Sequence, residues 1–118
     1  MRKSYLTGLL ILTMVFVFAF SASAQETVKI GLSAPITGDY AEFGENFQYS
    51  VEIAADRLNE NGGIRGREVE IIVRNSEGKP NVAASIAQEF VQNQEIVAEI
   101  GDFTSTSCLA AAPIYERN

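Results

Sequence analysis

Four hydroxyl-bearing residues stand in a row, Thr104, Ser105, Thr106 and Ser107, between the apolar run 96–100 and the alanine-rich stretch 110–112. Each hydroxyl can donate one hydrogen bond and accept two. At the start of a helix the amides lack intrahelical partners and carry partial positive charge, so a carboxylate above Ser105 and Thr106 would meet backbone donors and hydroxyls together. The plainer role for such a run is a cap, in which one hydroxyl closes the helix and its neighbours face solvent. A second cluster, Asp39, Glu42 and Glu45, occupies one side of an early helical turn and has the oxygen donors of a metal site. Favourable interaction with the helix dipole explains these carboxylates more simply, so no metal and no cofactor is expected.

Other chemistries are excluded by residue type. The sequence has no histidine, which removes Ser-His and Cys-His nucleophile pairs and imidazole-based metal binding within this chain. GLSAPITG lacks the spacing of a dinucleotide-binding turn and has no phosphate lysine. NGGIRGREVE has three glycines but falls after a helix and before a strand, which marks a connector with solvated Arg65 and Arg67. The chain is therefore not expected to be an enzyme by itself. Its single cysteine, Cys108, cannot form a disulfide within the chain and is expected to pack as a small buried hydrophobe.

The first residues have the pattern of an export signal. Arg2 and Lys3 precede an uncharged apolar stretch, 6–20, and Ala22-Ser23-Ala24 supplies the small residues that a signal peptidase reads. The apolar core is short for a membrane span of about 20 residues, so cleavage before Gln25 is expected in preference to an uncleaved anchor. This assigns 1–24 to a signal peptide and 25–118 to the exported chain. Seven basic residues then face fifteen acidic ones, a net charge of -8. That balance excludes nucleic acid and anionic membrane surfaces, which are recognised by clustered Lys and Arg.

The elements that must position the hydroxyl run alternate along the chain. Residues 27–33 read as a strand with Val28, Ile30 and Leu32 at period two. Phe47, Val51, Ala54, Ala55 and Leu58 make a helical stripe that Asn61-Gly62-Gly63 ends. The apolar centre of 68–74 suits a strand buried on both faces. Gly78 and Pro80 mark a turn, and Val82, Ile86 and Phe90, four residues apart, mark a second helix to about Asn93. Ile96 to Ile100 is the third strand, and a third helix follows. Pro113 would interrupt a helix begun at Thr106, which predicts a kink or a later start near Ala110. The fold class is therefore α/β, in the order β-α-β-α-β-α, with a parallel sheet and helices on both faces. Ligands of such sheets bind beyond the carboxyl ends of the strands, where 34–42 and 102–107 lie.

The stretch KIGLSAPITGDYAEFGENFQYSVEIAADRLNENGGIRGREVEIIVRNSEGKPNVAASIAQEFV resembles the opening of the periplasmic substrate-binding proteins of ABC transporters, in the branched-chain amino-acid (Leu/Ile/Val) binding family. The carrying pattern is a strand, a loop of the form P-x-T-G-x-x-A-x-x-G, a helix ending in N-x-x-G-G-I-x-G and a second strand. The resemblance implies a type I periplasmic binding protein whose first lobe begins here and whose second lobe lies beyond residue 118. It implies that Ser105 anchors a ligand carboxylate, that Phe103 and Thr104 line the ligand's side-chain pocket, and that Phe43 covers that pocket from the first loop. Thr106 joins this set through its place in the first helical turn. Some members tie the turn near Gly78 to the position of Thr104 by a disulfide, and neither residue is a cysteine here.

The expected function is capture of a small amphipathic solute, a branched-chain or other amino acid, in the periplasm for a membrane ABC permease. A receptor ectodomain of the same fold, or an enzyme whose catalytic groups lie beyond residue 118, would share these features. Export itself gives the first test: the secreted product should begin at Gln25, and an intact Met1 in its mass spectrum would overturn the leader assignment.

Overall fold

A computed structural model describes residues 27–118, so the expected leader and its expected cleavage site lie outside the described residues. Three strands and three helices alternate: β1 (Val28–Ala34), α1 (Ala41–Glu60), β2 (Val69–Asn75), α2 (Pro80–Gln92), β3 (Ile96–Ile100) and α3 (Ser105–Tyr115). The strands form one parallel sheet in the order β2-β1-β3. Val28 pairs with Val69 and Ala34 with Asn75 along one side of β1, and Ile30 to Leu32 pair with Ala98 to Ile100 along the other. A parallel connection needs a right-handed crossover, so stepping from β1 to β2 and then back across to β3 places α1 on one face of the sheet and α2 on the other. The contacts agree, since α1 packs on β2 and β1, whereas α2 and α3 pack on each other.

The core sits at the central strand. Leu32 and Ala34 are fully buried, as is Ala87, and Val28, Phe90 and Ile86 are nearly so. Gly31 of β1 faces Phe90 of α2, where an added Cβ would lie 2.5 Å from the aromatic ring. The sheet face here admits no side chain. On the opposite face the Asn59 carboxamide of α1 donates to the Val69 carbonyl at 2.9 Å and accepts from the Val69 amide at 2.7 Å, which fixes the helix end to the start of β2.

Several boundaries differ from expectation, each for a local reason. α1 begins at Ala41, ahead of its apolar stripe, and Pro80 opens α2 instead of belonging to the turn, since proline's missing N–H costs nothing in a first helical turn. α1 buries Gly44 and Ala55 with Phe47 and Val51 half-buried, while Ala54 and Leu58 are exposed because no described element covers that flank. α3 starts at Ser105 and runs through Pro113 to Tyr115, so the later start near Ala110 does not occur. The proline falls near the end of the helix, where it breaks few successive hydrogen bonds.

The loop after β1 is held close to α1. A Cβ at Gly44 would lie 2.0 Å from the carbonyl oxygen of Pro35. Gly-to-Ala exchange inside a helix ordinarily gains about 1 kcal/mol, but overpacking against rigid backbone costs about 1 to 3 kcal/mol. With a clash as close as 2.0 Å to backbone the upper part of that range applies, so Gly44→Ala should be a net loss of about 1 to 2 kcal/mol. A lower urea midpoint with an unchanged denaturant slope checks this.

Candidate functional site: the wall at the ends of β1 and β3

The loops that follow β1 and β3 lie side by side because their strands are paired. Asp102 organises the second loop. Its carboxylate accepts from the Ser33 hydroxyl at 3.2 Å and from the Thr104 amide at 3.3 Å, tying the loop to the end of β1. Its backbone amide donates to Cys108 Sγ at 3.2 Å, and that thiol donates back to the Asp102 carbonyl at 3.2 Å. Cys108 is half-buried and hydrogen-bonded, not the buried apolar residue expected.

The hydroxyl run divides into two roles. Thr104 is the N-cap of α3: its Oγ1 accepts from the Ser107 amide at 3.3 Å and donates to Ser107 Oγ at 2.7 Å. Ser107 is fully buried and is the structural member of the run. The Thr104 hydroxyl, expected to line a pocket, is committed to the cap. Ser105 and Thr106 are exposed at the first turn, and the cap does not use their amides.

Three aromatic rings stand next to this turn. Phe43, from the start of α1, stacks on Phe103 with centroids 4.9 Å apart and planes 13° from parallel. Tyr40 tilts against Phe103 at 5.6 Å and 49°. Their exposures are 42% for Tyr40, 54% for Phe43 and 43% for Phe103, a substantial apolar surface left open in a small molecule. The structure thus brings Phe43, Phe103, Thr104, Ser105 and Thr106 into one region. Tyr40 was missed by the sequence reading; its spacing of three residues from Phe43 across a helix start was the available signal. Behind Tyr40 lies Gly78, where a Cβ would be 2.9 Å from the tyrosine ring.

Below the loop, Glu99 of β3 points to the helical side occupied by α3. A cavity of about 130 Å³ is lined by Glu99, Asp102, Cys108 and Tyr115. Burial first, and the Asp102 charge second, push the Glu99 carboxyl up to about 7. The Tyr115 hydroxyl is buried without a hydrogen-bond partner, and burial followed by the Glu99 charge raises its pKa well above the usual phenol range. A longer groove of about 240 Å³ runs along β3 past Val97 and Tyr115. It lies away from the hydroxyl run and the three rings. No cluster of metal-binding side chains occurs among the described residues, and Asp39, Glu42 and Glu45 are exposed.

The family model for periplasmic binding proteins matches residues 27–118. The chain belongs to that family. It is 30% identical over 115 residues to an amino acid binding protein of Pseudomonas aeruginosa, covering 98% of this chain and 31% of that protein. It is also 30% identical over 118 residues to Leu/Ile/Val-binding protein homolog 1 of Brucella abortus, covering 100% of this chain and 31% of that protein. Among solved structures, the branched-chain amino acid transporter substrate-binding protein of Streptococcus pneumoniae in complex with isoleucine matches with a TM-score of 0.73 and 28% identity, over 77% of this chain and 26% of that one. An ABC transporter substrate-binding protein of Desulfitobacterium hafniense in complex with Leu matches with a TM-score of 0.70 and 32% identity, over 78% of this chain and 26% of that one. The chain thus spans about a third or less of the length of these relatives.

The type I periplasmic binding protein fold and the Leu/Ile/Val-binding kinship read from the sequence are borne out. At the edge beside Thr104, the Tyr40 ring stands between Gly78 and Phe103.

Glu99 makes stability depend on pH. A carboxyl raised from 4.5 to about 7 holds its proton more tightly when folded, so its burial is tolerated at low pH and stability falls as pH rises across that interval. Asp102, Cys108 and Tyr115 are the other titratable groups lining its cavity. Glu99→Gln should abolish this decline and should raise the unfolding temperature above that of the parent protein at about pH 8. Parallel unfolding profiles of the two proteins between about pH 5 and pH 8 would contradict it.

Proposed function

We propose that this chain is the N-terminal part of the solute-binding component of an ABC importer, exported to the periplasm and mature from Gln25. The observation that carries the reading is the pairing, at the carboxyl ends of adjacent parallel strands, of an open helix start with a wall of three exposed rings. Such a surface suits a solute with an anionic head and an apolar body. Ser105 and Thr106 receive a carboxylate through hydroxyls and first-turn amides, and Phe43, Phe103 and Tyr40 lie against the side chain. An amino acid with an aliphatic side chain fits both halves. The bound amino acids and binding names of the relatives support the same class.

The wall is open, so tight binding requires a second surface to close over the solute. In the proposed mechanism a second lobe beyond residue 118 supplies that surface and reads the amino group. The solute favours the closed state by its greater affinity for it, and the permease receives that state. In this mechanism the solute is bound and released unchanged.

The exposed and buried hydroxyls should separate in a mutant pair. In the full-length protein, Ser105→Ala should weaken L-leucine binding about tenfold to a hundredfold, the worth of a hydrogen bond to a charged group. Ser107→Ala should leave affinity nearly unchanged and lower stability by about 1 kcal/mol, since the buried Ser107 hydroxyl no longer accepts from Thr104 Oγ1. Calorimetric titration and thermal unfolding of both variants read these effects. Equal small losses of affinity would return the whole run to a capping role.

A further inference from the structure

Asn75, the last residue of β2, makes more hydrogen bonds to the first ligand loop than any side chain of that loop makes. Its Oδ1 accepts from the amides of Ile36 at 2.9 Å and Thr37 at 3.3 Å, and from the Glu77 amide at 3.0 Å in its own turn. Its Nδ2 donates to Thr37 Oγ1 at 2.7 Å. One carboxamide therefore locks the residue 35–37 backbone to the residue 75–77 backbone. The neighbouring Ser76 amide adds a bond to the Ala34 carbonyl at 2.9 Å.

Both segments joined by Asn75 support Tyr40. The loop leads through Gly38 into Tyr40 and the start of α1, and the turn brings Gly78 against the tyrosine ring. Tyr40 rests on Phe103, and Phe103 on Phe43. From this chain of contacts we infer that Asn75 is a positioning residue: it never touches solute, and it sets the place of the three-ring wall by fixing the loop and turn that hold Tyr40. The Gly78 turn thereby becomes a third element of the site. The inference concerns the wall, and its consequence for solute selection rests on the solute-binding function proposed above.

The chemistry of the carboxamide separates the variants. Asn75→Asp keeps an oxygen for all three amides, and the Thr37 hydroxyl can turn from acceptor to donor towards the second oxygen. Asn75→Ala loses every bond. Asn75→Gln keeps the functional group but moves it by one methylene, so it tests placement.

The experiment uses the full-length protein and two readouts. In the solute-free state, the ring-current-shifted aromatic proton resonances of Tyr40, Phe43 and Phe103 should move towards averaged positions in Asn75→Ala and Asn75→Gln and stay in place in Asn75→Asp. In titrations, L-leucine should bind about tenfold more weakly to the Ala and Gln variants, while glycine, with no side chain to meet the wall, should bind as to the parent. Unmoved ring resonances in Asn75→Gln, or equal losses for leucine and glycine, would overturn the assignment. Should Asn75→Ala fail to fold, the Gln and Asp variants carry the comparison. A parent protein that binds neither amino acid would refute the solute-binding reading, and the ring resonances would still decide the role of Asn75.

Discussion

The handedness of parallel crossovers is the constraint on which this structure depends. With β1 in the centre, the chain must leave its carboxyl end on one face of the sheet to reach β2 and return to β3 on the other face, where α3 then packs on α2. The two departing loops turn to opposite faces of the sheet at the point where the strand order reverses, and the three rings at their junction stay partly exposed although Ser33, Ala34 and Pro35 beneath them are buried. Everything proposed for binding lies there: the start of α1 with Phe43 on one side, the start of α3 with Ser105 on the other. No special residue creates this opening. Special residues then shape it, as Gly44 does by admitting the Pro35 carbonyl and Asp102 by tying Ser33 to Thr104.

The hydroxyl run shows how one short stretch can cap a helix and still leave its end accessible. A threonine outside the helix and a serine one turn in close the cap between them, so the two residues in between keep their outward positions. Carboxylate recognition of the proposed kind relies on dipoles and hydroxyls, with no arginine or lysine among the wall residues. The formal net charge is -6. A free anion would approach against that field, whereas a zwitterion carries no net charge to be repelled.

Element order and the parallel sheet were legible in the sequence because period two in Val28, Ile30 and Leu32 and the four-residue spacing of Val82, Ile86 and Phe90 report burial directly, whereas the strand order β2-β1-β3 was not. The junction of 101–107 was legible as a turn from a strand into a helix. Its internal division was not. Which hydroxyl caps depends on a one-residue choice of helix start, and Pro113 argued misleadingly for a late one. Tyr40 and Asn75 were missed because their roles arise from contacts across 38 or more positions in sequence, Asn75 to Thr37 and Tyr40 to Gly78, which no local periodicity records. Cys108 was misjudged because its thiol bonds to backbone that only the tight residue 101–104 loop brings within reach.

The Tyr40 ring between Gly78 and Phe103 has a consequence for the conditions under which the wall survives. Cys108 is the sole thiol of the sequence, and its sulfur is engaged with the Asp102 backbone. The edge of the wall is therefore joined by ring packing and amide hydrogen bonds, with no sulfur–sulfur bond to be cut. Thiol reductants, and the shift from oxidising to reducing surroundings, have no covalent tie to act on here. The shape of this edge owes nothing to a disulfide within this sequence.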